Sequence, residues 1–114
     1  MKIIKDKIEI AELKEMAKNM YESLVKAVVD IEKGIMAVDA PMHIDEEQLL
    51  MEEEKSEPKN LWGINIWPGK EGAEFIEFDS MINVRPSQDN KSRDVKNPEI
   101  RKKIIDIVNK RIER

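Results

Sequence analysis

Asp30, Asp39, Glu77 and Asp79 occupy the polar positions of segments whose alternate residues are apolar, and the single histidine, His43, follows soon after Asp39. Carboxylates and a neutral imidazole can hold a divalent cation and activate its water, which is the chemistry of metal-dependent phosphoester hydrolysis. In a chain with 24 acidic residues the same positions also describe the outward side of a solvated sheet, and composition favours that plainer reading. One histidine excludes a two-imidazole zinc site. The absence of Cys removes thiolate ligands, disulfides and a cysteine nucleophile together. Ser23, Ser56, Ser80, Ser87 and Ser92 are the hydroxyls available to a Ser-His-Asp arrangement, and none lies in a G-x-S-x-G turn.

A second group is the polar, basic run from Arg85 to Arg93, "RPSQDNKSR". Arg85, Lys91 and Arg93 are cationic donors, and Ser87, Asn90 and Ser92 add neutral contacts of the kind that suits phosphate or carboxylate. A connection of this length is more often functional than a short one. Against an anion site stand Asp89, Asp94 and the lack of a glycine-rich phosphate-binding pattern. The basic "RKK" at 101–103 extends the positive character, but no interleaved aromatics offer a stacking platform, so nucleic-acid contact would rest on backbone electrostatics.

The elements that must carry these groups are legible from periodicity. "MKIIK" suits a short edge strand, and Ile10, Leu13, Met16, Ala17, Met20 and Tyr21 recur at helical spacing over about 9–22. Val25, Ala27, Val29 and Ile31 alternate with Lys26, Asp30 and Glu32, and Lys33-Gly34 offers a two-residue reversal that sets Ile31 against Met36 and Val29 against Val38. Asp45 and Gln48 form a capping-box pair that predicts a short acidic helix over 46–55, with His43 in the preceding loop. A second hairpin opposes Ile66 with Ile76 and Ile64 with Phe78 and runs on through Ile82 and Val84, with Trp67 and Phe75 on its polar face. Asn97, Pro98 and Glu99 then open a helix buried through Ile100, Ile104, Ile107, Val108 and Ile112. The seven methionines read as core filler.

This order is helix, hairpin, short helix, hairpin, helix. It predicts one α+β domain over 1–114: a two-layer arrangement in which an antiparallel sheet of four to five strands carries its helices on one face. No segment approaches the length of a membrane span or a secretory leader, and without Cys a cytoplasmic location is the default. The net charge of −4 conceals a division, because residues 91–114 hold nine basic and four acidic side chains and thus carry +5 against −9 for the remainder. Such asymmetry fits acidic and basic faces that meet within one subunit or across a homodimer.

The stretches "VKAVVDIEKGIMAVD", "MHIDEE", "LWGINIWP", "EFIEFDSMINVRPSQDNKSR" and "NPEIRKKIIDIVN" resemble a small prokaryotic family classed as a domain of unknown function. That resemblance implies a compact stand-alone protein and supplies no catalytic residue. The reading that fits the whole chain is a non-catalytic binding or interaction domain without a cofactor, whose loop 85–93 contacts an anionic ligand or a protein partner. Metal-dependent phosphoester hydrolysis through Asp30, Asp39, His43, Glu77 and Asp79 is the alternative.

Overall fold

Two strands rich in β-branched and aromatic residues, Val25–Asp30 (β3) and Leu61–Ile66 (β5), pair along their whole length at the centre of the sheet. They do so in a computed structural model that describes residues 1–114. Lys2–Ile4 (β1) and Ile35–Val38 (β4) extend one side and Ile76–Glu77 (β6) the other, giving an antiparallel five-stranded sheet of order β1-β4-β3-β5-β6. Three helices complete an α+β fold: Ile10–Met20 (α1), His43–Glu54 (α2) and Pro98–Arg111 (α3). A parallel pair of Ile8–Glu9 (β2) with Ile112–Glu113 (β7), too short to leave a periodic signature, ties the start of α1 to the end of α3.

Alternation decides which side each residue faces. Val25, Ala27, Val29, Met36, Val38, Trp62, Ile64 and Ile66 form the main core with Leu13 and Ala17 of α1 and Ile104 and Val108 of α3. Val28, Ile35, Ala37 and Leu61 point the opposite way and pack on Leu50 of α2. The helices are therefore not confined to one face: α2 covers much of the side expected to meet solvent. This explains why all four residues of β4 and all six of β5 are buried.

Three local expectations change, each for a side-chain reason. The Asp30 carboxylate accepts from the N–H groups of Glu32 and Lys33, both at 2.9 Å. This builds a four-residue turn that closes at Gly34 (φ +69°), and the register moves to Val29 with Met36 and Ala27 with Val38. The acidic helix begins at His43 rather than after Asp45, because Glu46 reaches back to accept from Ala40 N at 3.0 Å and secures the first turn. The second hairpin keeps Ile66 opposite Ile76, but its outer strand ends at Glu77, and Met81–Asn83 is a 3-10 turn.

That turn replaces the missing strand by an amide side chain. Asn83 Oδ1 accepts from Gly63 N at 2.8 Å, and Asn83 Nδ2 donates to Gly63 O at 2.9 Å and to Arg93 O at 3.0 Å. The approach requires glycine: a Cβ at position 63 would lie 2.5 Å from Ser80 Cβ. Phe75, expected near Trp67 on the polar side, instead closes the Gly72–Glu74 turn and enters the main core.

Candidate functional site

Lys26, Asn65 and Glu77 are register partners on β3, β5 and β6, so they form one polar row on the α2 side of the sheet. Asn65 Nδ2 donates to Glu77 Oε1 at 2.9 Å, and the Trp67 indole N–H donates to the same oxygen at 3.3 Å. Asn65 Oδ1 is sealed from solvent without a partner. The first turn of α2 lies over this row and places His43 Nε2 2.7 Å from Ile64 O. A carbonyl partner requires that Nε2 carry the proton, which leaves Nδ1 as the acceptor.

Burial holds the His43 imidazole at a pKa of about 4, despite the bond to Ile64 O that favours its charged form, and the nearby Lys26 lowers it further. One turn later Glu46 is fully buried, and desolvation pushes its carboxyl up to about 10 against the opposing Ala40 N–H. The two groups are therefore both neutral near pH 7. Their environments hold the imidazole unprotonated and the acid protonated.

His43 lines a cavity of about 140 Å³ with Lys26, Ser80, Arg93, Met42 and Met81. Arg93 Nε is 2.5 Å from Asp79 Oδ1 and still half-exposed, while Ser80 is buried with its Oγ accepting from Ile82 N at 3.3 Å. The rim is apolar and open to solvent: Met42 is 60%, Ile44 43% and Met81 66% exposed. Tyr21, whose hydroxyl donates to Pro41 O, extends it, with Lys26 Nζ 5.4 Å from its ring centroid. Lys26 and the Asp79-paired Arg93 thus sit among flexible, exposed apolar side chains, and contiguous apolar area of this kind marks interaction surfaces.

The sequence model of a family described as a protein of unknown function (DUF5674) matches residues 2–111. The chain belongs to the DUF5674 family. Neither a curated protein nor a solved structure matches it.

In this DUF5674 protein the five residues proposed for a metal are dispersed, and no group of three or more His, Asp or Glu side chains could hold a metal ion. Asp30 is buried at the far end of β3, where it holds the 31–34 turn. Asp39 is half-buried just past β4 with φ +71°, and Glu77 and Asp79 are engaged by Asn65 and Arg93. Only His43, with Asp79 and Arg93 beside it, belongs to the cavity just described.

The loop 85–93 is likewise spent largely on itself. The Arg85 guanidinium donates to Ile82 O at 2.9 Å and to Leu61 O, lies 4.5 Å from the Trp62 ring centroid, and pairs with Glu47 at 3.6 Å. Burial pulls the Arg85 pKa down and the Glu47 pKa up, and their pairing opposes both shifts. Asn90 is buried; its Nδ2 donates to Asn83 O at 2.6 Å and Asp94 O at 2.7 Å, while its Oδ1 accepts from Lys96 N at 3.0 Å. Ser92 Oγ accepts from Asp94 N at 3.3 Å. Ser87 and Lys91 are exposed, and Arg93 is the member of the set that reaches the cavity. Sequence reasoning missed Lys26, Glu46 and the exposed methionines. A mark of Lys26 was its place as the one cation among the polar positions of an otherwise apolar strand.

Proposed function

We propose that this DUF5674 protein is a non-catalytic interaction domain that docks an anionic group of a protein partner at Lys26 and Arg93, with the neutral His43 imidazole packed beside them. The observation that carries this reading is the ring of exposed Met42, Ile44 and Met81 around a cavity holding two cations. Binding is favoured over chemistry because an imidazole with a pKa of about 4 is a weak base at neutral pH. The only hydroxyl in the cavity, Ser80, already serves its own turn. The cavity admits one carboxylate or phosphate oxygen cluster, and the methionine rim adapts to the apolar surroundings of that group.

The test is an amide chemical-shift titration with inorganic phosphate, repeated with a short mixed-sequence oligonucleotide at low and high salt. Phosphate-dependent shifts at Lys26, His43, Ser80 and Arg93 that vanish in Arg93→Ala are expected. Shifts confined to Ser87 and Lys91 would return the contact to the outer loop. A spectrum unchanged by either probe would end the anion reading. Oligonucleotide shifts stronger than those of phosphate, and abolished by salt, would point to nucleic acid instead.

A further inference from the structure

The opposite flank of β6 carries a separate combination that the Lys26 face does not use. β6 is the last strand of the sheet, so no strand lies beyond it. Trp67 N donates to Phe75 O at 2.9 Å, while Phe75 N turns back to Gly72 O at 3.2 Å, so with Asn65 opposite Glu77 the facing residues Ile66 and Ile76 are the pair of the ladder that exchanges no hydrogen bond. In an antiparallel pair the intervening residue turns its backbone the other way, so the N–H and C=O of Ile76 face outward.

Beside this edge runs a groove of about 400 Å³ between β6 and α3, lined by Phe75, Ile76, Phe78 and Ile105. Ile105 is 37% exposed in its wall. Two guanidiniums stand over the aromatic floor: Arg101 lies 4.0 Å from the Phe78 centroid and Arg114 3.8 Å from that of Phe75. No carboxylate lines the groove. Arg101 uses Nη1 on Asp94 Oδ1 at 2.7 Å, and Arg114 uses Nη2 on Asn109 Oδ1 at 2.7 Å, so both retain further N–H donors.

We infer that the β6 edge receives an extended acidic peptide as a sixth strand. Ile76 supplies a main-chain donor and acceptor, the exposed Ile105 flank of the groove takes an apolar side chain, and the Arg114 guanidinium takes a carboxylate two residues away. Charge complementarity selects this occupant over a second copy of the chain, whose own β6 edge would bring two more arginines against these two. The site is independent of the Lys26 cavity, since Ile76 packs with the main core side of the sheet and Glu77 with the other.

The experiment selects a random decapeptide library on the full chain and measures the enriched peptides by fluorescence anisotropy. Enrichment of an acidic residue two positions from an aliphatic or aromatic one is expected. Arg114→Ser, an exposed position, should weaken those peptides at least tenfold, and peptide binding should slow hydrogen exchange at the Ile76 amide. Ile76→Pro, which deletes that donor, should abolish binding. Enriched peptides without an acidic residue, undiminished binding to Arg114→Ser, or no enrichment at all would each overturn the inference. So would concentration-dependent self-association in sedimentation that Ile76→Pro abolishes, because the edge would then belong to a second copy.

Discussion

Replacing Asn83 by Ala should be among the most damaging single changes in this protein, although the side chain lies in a connecting turn. Three hydrogen bonds disappear at once, two of them to the N–H and C=O of Gly63 and one to Arg93 O. Gly63 is buried on a central strand, so water does not reach its peptide groups to replace the amide. A buried backbone group left unpaired costs about 1–3 kcal/mol. Two such groups on Gly63, with the carbonyl the more tolerant, give a loss of about 2–5 kcal/mol. Set against total stabilities of about 5–15 kcal/mol for domains of this kind, the loss should be plain in urea unfolding followed by the fluorescence of buried Trp62. Asn83→Asp sharpens the test, because it keeps the acceptor for Gly63 N–H but sets a carboxylate against Gly63 O and Arg93 O. It should be at least as damaging at pH 7 and partly recover near pH 4, where a protonated carboxyl can donate. A loss under about 0.5 kcal/mol for Asn83→Ala, or an Asp variant indifferent to pH, would refute the idea that this amide stands in for a strand.

Gly63→Ala should lower stability by about 1–3 kcal/mol through overpacking against Ser80, with the loss again read from urea midpoints; a neutral result would mean that the 80–83 turn yields. The folded-state pKa of His43, about 4, lies below its unfolded value of 6.5. The unfolded chain therefore takes up the proton first, and stability should fall as pH drops from about 6.5 to 4, by up to roughly 3 kcal/mol. His43→Gln, which keeps a donor for Ile64 O, should flatten that part of the profile, and an unchanged slope would count against the assignment. Glu46 has the opposite sign, because its folded pKa of about 10 lies above the ordinary value of 4.5 and the folded chain keeps a proton that the unfolded chain releases. Stability should decline as pH rises through that window, and Glu46→Gln should outlast the native protein by a margin growing by up to about 1.4 kcal/mol per pH unit. Urea midpoints at pH 6, 7 and 8 that run parallel for the two proteins would contradict it.

The elements whose type depends on their own residues were readable in the sequence. The Asn97-Pro98-Glu99 start of α3 is realised, with Asn97 Oδ1 accepting from Glu99 N at 2.9 Å. Strands β3 and β5 follow their alternation, and the pairing of Ile66 with Ile76 comes from matching two apolar faces. What failed depends on side chains that take over backbone roles. Asp30 bonds two peptide groups of its own turn and thereby moves the register by two residues, a shift that keeps every residue on its face and so leaves no mark in the hydrophobic pattern. The outer strand of the second hairpin did leave a mark. Ile76, Phe78, Ile82 and Val84 share a parity with Ser80, and that buried hydroxyl is the break in the series where the 3-10 turn begins.

The candidate site was hidden for a related reason. Basic residues in a loop look available when only composition is read, yet Arg85 is occupied by Trp62, Glu47 and two carbonyls, and Asn90 by three segments of main chain. Methionines look like core filler on the same basis, yet Met36 alone among the seven is buried. Met42 and Met81 each sit at the start of an element, where the side chain leaves the packed layers instead of entering them. The consequence is an apolar-rimmed face that carries Lys26 and the Asp79-paired Arg93 on a chain of net charge −4. Long-range attraction of an anionic partner then depends on Lys26 and Arg93 lying closer to it than the acidic remainder of the molecule, and charges beyond about 10 Å are screened at 0.1 M salt. Raising ionic strength from low values should first remove the repulsion from the more distant acidic residues and only later the attraction at the face, so association should pass through a maximum before it declines. A partner held by the apolar rim alone would show no such maximum, and binding would strengthen steadily with salting-out ions.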